Sequence, residues 1–319
     1  MRSKKRIVIL RNLLQAGLDL LGDEYEVRLG GLESTREDWL ELVGGADAIV
    51  ADPMVPVEAE LLDSAGSELR LVANFAVGYD NVDLGACAGR GVIVTNTPDV
   101  LTDATAELAV ALTLAAARDI PAAERSLRAG EWSGWDPARY RGFDLTGSTV
   151  GVVGMGRIGR RYAEMMSGFG VDYLYTSREA KEDVEAELGA RRAELDELLT
   201  ESDVVSLHLP ANGDTRHTIN RETVRLMKPN AILVNTGRGA LVDSSAVAAA
   251  LFDGRLGAAG LDVYEGEPEV PRELLDAPRT TLTPHIGSAT YRARDGMAEL
   301  VARNVIAVLD GQGPLNPVG

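Results

Sequence analysis

An arginine, a glutamate and a histidine stand in three separate stretches, each just beyond an apolar run. The stretches are Asn235-Thr236-Gly237-Arg238-Gly239, Glu265-Gly266-Glu267-Pro268 and Thr283-Pro284-His285-Ile286-Gly287. A guanidinium forks onto a carboxylate through two parallel N–H groups, which suits a 2-oxo acid. Gly237 and Gly239 let the Arg238 backbone approach another group closely. His285 is one of only three histidines in the chain, and imidazole is the side chain best suited to exchange a proton near neutrality. Glu267 precedes Pro268, which predicts an extended, non-helical segment. A carboxylate touching His285 would favour the imidazolium and keep a proton available. Alone, Arg238 reads as a solvated arginine and Glu267 as an ordinary loop acid; the set points to anion binding with proton transfer. His208, within Val204–Leu209, and His217, in the polar Asn212–Asn220 loop, read as locally packed or capping residues.

A partner for that chemistry is suggested upstream by Gly154-Met155-Gly156-Arg157-Ile158-Gly159, a G-x-G-x-x-G pattern. The pattern is weak by itself, but Thr149–Val153 reads as a strand running into it and Arg160–Gly168 as a helix leaving it. Gly154 permits the tight turn, Gly156 lets backbone approach a pyrophosphate, and Gly159 allows close helix–strand packing. The helix N-terminus offers unpaired N–H groups to phosphate, and Arg157 adds charge. About 20 residues on, an NAD site would place an acid that bonds the ribose 2′-hydroxyl. Here the chain has Thr176-Ser177-Arg178. Two hydroxyls and a guanidinium suit a 2′-phosphate, which favours NADP(H), with NAD(H) as the alternative. A plain solvated helix start at Arg178 is the competing structural reading.

Short β-branched runs alternate with amphipathic stretches, the mark of βαβ units and parallel sheet. Strands are predicted at Ile7–Leu10, Tyr25–Leu29, Ala48–Ala51, Leu71–Asn74 and Val92–Asn96, with helices at Asn12–Leu21 and Val57–Ser64. A second series runs through Thr149–Gly154, Val171–Thr176, Val204–Leu209, Ile232–Asn235, Ala258–Val263 and Thr281–Pro284. That makes two α/β units. The alanine-rich Ala104–Arg118 is a helix suited to cross between them, and Arg292–Leu309 a helix returning to the first. The predicted domains are residues 1–101 with 291–319, and residues 102–290. In open parallel sheets, groups at the carboxyl ends of strands converge on one crevice, which is where Arg238, Glu267 and His285 would meet. The loop Ala129–Trp135 carries Trp132 and Trp135, suited to local packing or to an oligomer contact.

Composition narrows the partners. A chain of 319 residues holds two domains with proper cores. The net charge of −17 argues against nucleic acid and against an anionic membrane surface. An anionic substrate then needs local positive charge. Cys87 is the only cysteine, so an internal disulfide and a thiolate metal cluster are both excluded, and no other metal site is predicted. The expected compartment is the reducing cytoplasm. After the basic Met1–Arg6, the apolar Ile7–Leu10 is too short for a signal-peptide core. No run reaches membrane-spanning length.

These motifs together resemble the D-isomer-specific 2-hydroxyacid dehydrogenase family, and within it the glyoxylate/hydroxypyruvate reductase branch. The resemblance runs through Asn74–Asn81, Thr95–Thr102, Gly151–Gly159, Asn235–Gly239, Leu261–Val263 with Glu267-Pro268, and Pro284–Thr290. It implies an α/β fold of two Rossmann-like or flavodoxin-like parallel-sheet domains with a cleft between them. Residues 1–101 and 291–319 would bind substrate, and residues 102–290 the dinucleotide. Arg238, Glu267 and His285 would form the catalytic trio, with Val77 and Gly78 offering N–H groups to the substrate carboxylate. Thr105, Thr236, Gly237, Asp262 and Gly287 would join the cofactor site, Asp262 near the nicotinamide amide. A homodimer is expected. The implied reaction is NAD(P)H-dependent reduction of a small 2-oxo acid to the 2-hydroxy acid. The rival readings are an NAD-dependent phosphoglycerate or other D-2-hydroxyacid dehydrogenase, and a dinucleotide-sensing, corepressor-like binding protein. No regulatory domain follows Leu309, which weakens a phosphoglycerate role.

Overall fold

The computed structural model describes residues 4–319, so the first three residues of the basic Met1–Arg6 start lie outside the described chain. The chain divides into two compact units, Met1–Leu101 with Ser288–Gly319, and Thr102–Gly287.

In the first unit, strands and helices alternate: β1 (Arg6–Ile9), α1 (Gln15–Leu21), β2 (Glu26–Leu29), α2 (Arg36–Leu42), β3 (Ala48–Ala51), α3 (Ala59–Ala65), β4 (Leu71–Asn74), α4 (Leu84–Ala88) and β5 (Ile93–Thr95). The five strands form one parallel sheet in the order β2-β1-β3-β4-β5. Successive side chains on a strand face opposite ways, and here both faces are covered. Ile7 and Ile9 join one core with Val50 and Leu71, while Val8 and Leu10 join another with Ile49, Val72 and Trp39. That two-sided burial is why these strands read as continuous apolar runs.

The second unit contains α5 (Thr102–Ala117), α6 (Ile120–Arg128), β6 (Thr149–Val153), α7 (Arg157–Met166), β7 (Asp172–Thr176), α8 (Glu182–Leu188), β8 (Arg191–Arg192), α9 (Leu195–Glu201), β9 (Val204–Leu207), β10 (Ile232–Asn235), α10 (Ser244–Phe252), β11 (Ala258–Leu261), α11 (Arg272–Asp276) and β12 (Thr280–Leu282). All seven strands are parallel, in the order β12-β11-β10-β9-β6-β7-β8. This is the doubly wound dinucleotide-binding order, whose direction reverses between β6 and β9. The last helix, α12 (Tyr291–Leu309), belongs to the first unit, where Ala298, Val301, Ala302, Val305 and Val308 complete the core behind β1.

Several predicted boundaries shift. The alanine-rich helix is not a crossing element: α5 lies in the second unit from its first residue, because Ala106, Ala109, Leu112 and Ala116 are buried against Val150, Val152 and Val234. Strands β9, β11 and β12 end two residues before the predicted ends, at Leu207, Leu261 and Leu282. The residues just beyond leave the regular ladder to form site loops, although Asp262 N–H still bonds Asn235 O and Thr283 N–H still bonds Leu261 O at 2.9 Å. Strand β8 has no apolar pattern at all, being two exposed arginines.

Candidate active site

Arg238, Glu267 and His285 all lie in the second unit, beyond β10, β11 and β12, three neighbouring strands. His285 Nδ1 lies 2.6 Å from Glu267 Oε2. The other carboxylate oxygen of Glu267 accepts the Tyr264 N–H at 2.8 Å. Burial pushes the Glu267 carboxyl up, but the hydrogen bond and charge of His285, the Tyr264 N–H and the charge of Arg238 outweigh it and hold the group below its ordinary value. The Arg238 charge thus bears on Glu267. Its own turn is built by Asn235, whose side chain donates to Arg238 O at 2.8 Å and accepts from Gly237 N–H at 3.0 Å. The Arg238 guanidinium also donates to Gly237 O at 2.9 Å.

Gly239 shows why a glycine follows the arginine. A Cβ there would fall 1.9 Å from the Tyr264 carbonyl carbon and 2.3 Å from Glu265 N, so the Arg238 turn presses directly on the peptide leading to Glu267. Glu267 itself is non-helical, but it sits in a turn over residues 265–268 rather than in extended chain. Gly266, at φ +85°, makes that turn.

His285 adopts φ +52°, the left-handed region that a non-glycine residue holds only when its surroundings impose it. Asp262 imposes it. Its backbone carbonyl accepts His285 N–H at 2.9 Å. Its carboxylate gathers the Thr283 hydroxyl at 2.6 Å and the Ile286 and Gly287 N–H groups at 2.8 Å each. Asp262 is fully buried, and burial raises its carboxyl above the ordinary value against those three donors and the charge of His285. Asp262 is thus a clamp on the His285 loop, a task its sequence context does not announce. Tyr264 adds a second tie, its hydroxyl donating to Leu261 O and Thr283 O, both at 3.0 Å.

The glycine fingerprint connects β6 to α7 at the point where strand order reverses. Gly154 has φ +99°, and a Cβ on Gly159 would lie 2.2 Å from Gly154 O. A Cβ on Gly156 would meet nothing within 4 Å, which leaves room beside the backbone. Helix α7 begins there with no side-chain cap at Gly156, which leaves its first N–H groups to another acceptor. Met155 is buried and Ile158 packs on the core, so their side chains serve the fold; Arg157 is exposed. Thr105, Asp262 and Gly287 come together: a Cβ on Gly287 would sit 3.3 Å from Asp262 Oδ2 and 3.5 Å from Thr105 Cγ2. Thr236 Oγ1 is buried with no hydrogen-bond partner. An open backbone approach, an uncapped helix start and an orphaned buried hydroxyl all fit a dinucleotide. At the end of β7, Thr176 and Ser177 are half-buried and Arg178 exposed. Arg192 holds this bend, donating to Ser177 O at 2.8 Å and Arg178 O at 3.0 Å.

Val77 and Gly78 belong to the first unit, beyond β4. Two asparagines hold their carbonyls, Asn96 Nδ2 on Val77 O and Asn74 Nδ2 on Gly78 O, each at 2.8 Å. His208 lies at the end of β9 with Nε2 2.9 Å from Ser206 Oγ and its ring 5.2 Å from that of Tyr162. Its Nδ1 is buried without a partner, and burial pushes its pKa down to about 3. Among the described residues no group of three or more His, Cys, Asp or Glu is placed to hold a metal. None of the described helices is long and apolar enough to cross a membrane.

Residues 110–287 match the model of the D-isomer specific 2-hydroxyacid dehydrogenase, NAD binding domain. A glyoxylate reductase of Thermococcus onnurineus is 47% identical over 317 residues, covering 98% of this chain and 95% of that protein. A crystal structure of a Thermus thermophilus protein superposes with a TM-score of 0.92 at 42% identity, covering 98% of this chain and 100% of that one. An NADPH-dependent glyoxylate/hydroxypyruvate reductase of Sinorhizobium meliloti, in complex with NADP and malonate, gives a TM-score of 0.87 at 34% identity, covering 99% of this chain and 97% of that one.

Proposed function

The chain belongs to the D-isomer specific 2-hydroxyacid dehydrogenase family, whose NAD binding domain it carries, and on that premise we propose that it reduces a small 2-oxo acid of the glyoxylate or hydroxypyruvate kind with NADPH. The observation that carries this reading is the 2.6 Å contact of His285 Nδ1 with Glu267 Oε2, beyond neighbouring strands of the sheet that also presents Arg238. When bound, the dinucleotide supplies the hydride; alignment and electrostatics are the work of the chain. Arg238 holds the substrate carboxylate and polarises the C2 oxygen. With Nδ1 of His285 engaged by Glu267, Nε2 is the nitrogen that gives the proton to that oxygen. Glu267, fixed by Tyr264, sets the ring's orientation and balances its positive charge.

Residues 102–290 serve as the dinucleotide domain in this reading. Gly154, Met155, Gly156, Arg157, Ile158 and Gly159 meet the pyrophosphate, the Met155 and Ile158 contributions being through backbone. Thr105, Thr236, Gly237, Asp262 and Gly287 line the nicotinamide end. In the domain of residues 1–101 and 291–319, Val77 and Gly78 offer N–H groups to the substrate carboxylate, their carbonyls being already engaged. NADPH is preferred over NADH because Thr176 and Arg178 present a hydroxyl and a guanidinium where an acid would repel a 2′-phosphate; the Ser177 hydroxyl, which donates to Glu179 O, turns to join them, and Arg192 holds that bend.

The protein acts as a homodimer in the cytoplasm. Trp132 and Trp135 are 60% and 84% exposed, and Trp132 lines a groove with Ala123, Leu127 and Tyr140, an apolar surface better covered than left in water. Light scattering at a mass near that of one chain would remove the dimer. Buried Cys87, its thiol pushed up to about 11, suits a reducing compartment where no disulfide is needed.

Initial rates with glyoxylate, hydroxypyruvate and 3-phosphohydroxypyruvate, each with NADPH and NADH, test the assignment. Fastest oxidation is expected for NADPH with one of the first two acids. Purified protein that oxidises neither coenzyme with any of the three overturns it. In R178A, kcat/KM with NADPH is expected to fall roughly tenfold more than with NADH, the scale of one lost charge-assisted hydrogen bond. Equal losses would mean that Arg178 does not discriminate between the coenzymes.

A further inference from the structure

Two residues before Glu267, a second glutamate has a histidine of its own. His217 Nε2 and Glu265 Oε2 lie 2.9 Å apart, and Arg216 pairs with the same carboxylate. Like His285, His217 is left-handed, at φ +50°. A non-glycine residue keeps that conformation only where other contacts over-determine it, and the contacts are visible. His217 N–H donates to Ala240 O at 2.8 Å, Ile219 N–H to Leu241 O at 3.0 Å, and Asp243 N–H to Ile219 O at 2.8 Å. Asn220 Nδ2 donates back to His217 O at 3.0 Å. The backbone of residues 217–219 is therefore laid along the segment just after Arg238, while the His217 side chain grips the turn just before Glu267. The close contact of Gly239 with the Tyr264–Glu265 peptide closes the triangle. No step of the reaction assigned above uses Arg216, His217 or Glu265.

We propose that His217 and Glu265 are positioning residues: their pair fixes the Glu265–Pro268 turn against the Arg238 turn, and so sets how the guanidinium and the His285–Glu267 pair act together. The proposal rests on the reductase reading. A misplacement of about 1 Å at a reacting group costs up to about a hundredfold in rate, so a brace between the two turns matters to turnover even though it touches no reactant. A brace for stability alone would change the melting temperature and leave the turnover of folded enzyme untouched.

The test is steady-state kinetics on the full chain with glyoxylate and NADPH, with melting temperatures, for E265A, E265Q, H217A and H217Q. The alanine variants are expected to lose roughly tenfold in kcat, with KM for NADPH unchanged. The glutamine variants, which retain a hydrogen-bonding group of similar reach, are expected to recover most of it. Wild-type kcat in E265A overturns the proposal. So does a loss that the glutamine variants fail to recover, or one that disappears when rates are normalised to folded protein. Should an alanine variant not fold, E265D shortens the reach while keeping the charge, and the same kcat loss is expected; wild-type kcat in E265D is fatal. Wild-type protein that turns over no 2-oxo acid sinks the reductase reading itself, whereas active wild type with unimpaired variants sinks only the positioning role.

Discussion

Two histidine–glutamate pairs share one five-residue stretch, Tyr264–Pro268, and they are built in opposite senses. His285 meets Glu267 through Nδ1, the nitrogen nearer its backbone, and keeps Nε2, at the tip of the ring, for a reactant. His217 meets Glu265 through Nε2, so its tip is already engaged. The carboxylates differ too. The Glu267 side chain is 18% exposed and that of Glu265 is 32% exposed. Burial works against the Glu267 charge and is overcome by three partners. Glu265 is held below its ordinary value first by the His217 hydrogen bond, with Arg216 adding to it. The lesson is that residue type and local motif do not separate a chemical histidine from a bracing one; the nitrogen left available does.

The largest expected effect breaks the comparison outright. H285A is expected to lose roughly 10²–10⁴-fold in kcat, the range for a displaced general acid, against roughly tenfold for H217A. Similar losses in the two would erase the distinction between chemistry and bracing. Next, both carboxyls are lowered from 4.5, so each stabilises the fold above that pH and the benefit is lost as pH falls through the lower folded value. E267Q should cost about 2 kcal/mol near neutrality, the scale of a charge-assisted hydrogen bond, and the gap from wild type should close below pH 4.5. Thermal melts across that range measure it, and a gap that widens in acid contradicts the sign. E265Q should behave alike with a smaller gap, its group being more exposed.

Gly266 lies between the two pairs at φ +85°, with open space around it, so G266A should cost about 1–2 kcal/mol from backbone strain alone. Denaturant titration reads this directly; an unaltered midpoint would mean that the turn adapts freely. The effect that vanishes near neutrality concerns His208, the histidine with no carboxylate. Its pKa falls from 6.5 to about 3 on folding, so the unfolded chain binds the extra proton between those values. Stability should be flat above pH 6.5 and fall below it for this group, and H208Q should flatten that slope. A wild-type slope retained in H208Q would assign the titration elsewhere.

Much of the scaffold is legible in the sequence because its strands are buried on both faces. Ala48–Ala51 lies between Asp47 and Asp52, and Leu71–Asn74 and Ile232–Asn235 each close on an asparagine, where the ladder stops. The ends of β9, β11 and β12 shift because a single polar residue, His208, Asp262 or Thr283, is followed by Leu209, Val263 or Pro284, which carries the sequence reading past the ladder. Strand β8 escapes because exposed arginines carry no periodicity. At the site, Arg238, Glu267 and His285 can be picked out by type and by their place after strands. The groups that hold them cannot, because the pairing partners are far apart in sequence. His217 and Glu265 are 48 residues apart. The donors on the Asp262 carboxylate are 21 to 25 residues away. Two holding groups are local: Tyr264 is three residues from Glu267, and Asn235, two residues before a turn glycine, has a local signature.

The bare α-carbon at Gly239 has a consequence for how this enzyme tolerates change. One added methyl group would collide with the main chain of the neighbouring loop and wedge the cationic turn away from the acid-bearing one. A position that contacts no reactant is thus among the least replaceable in the molecule, and variation should be rarer there than at many residues lining the substrate.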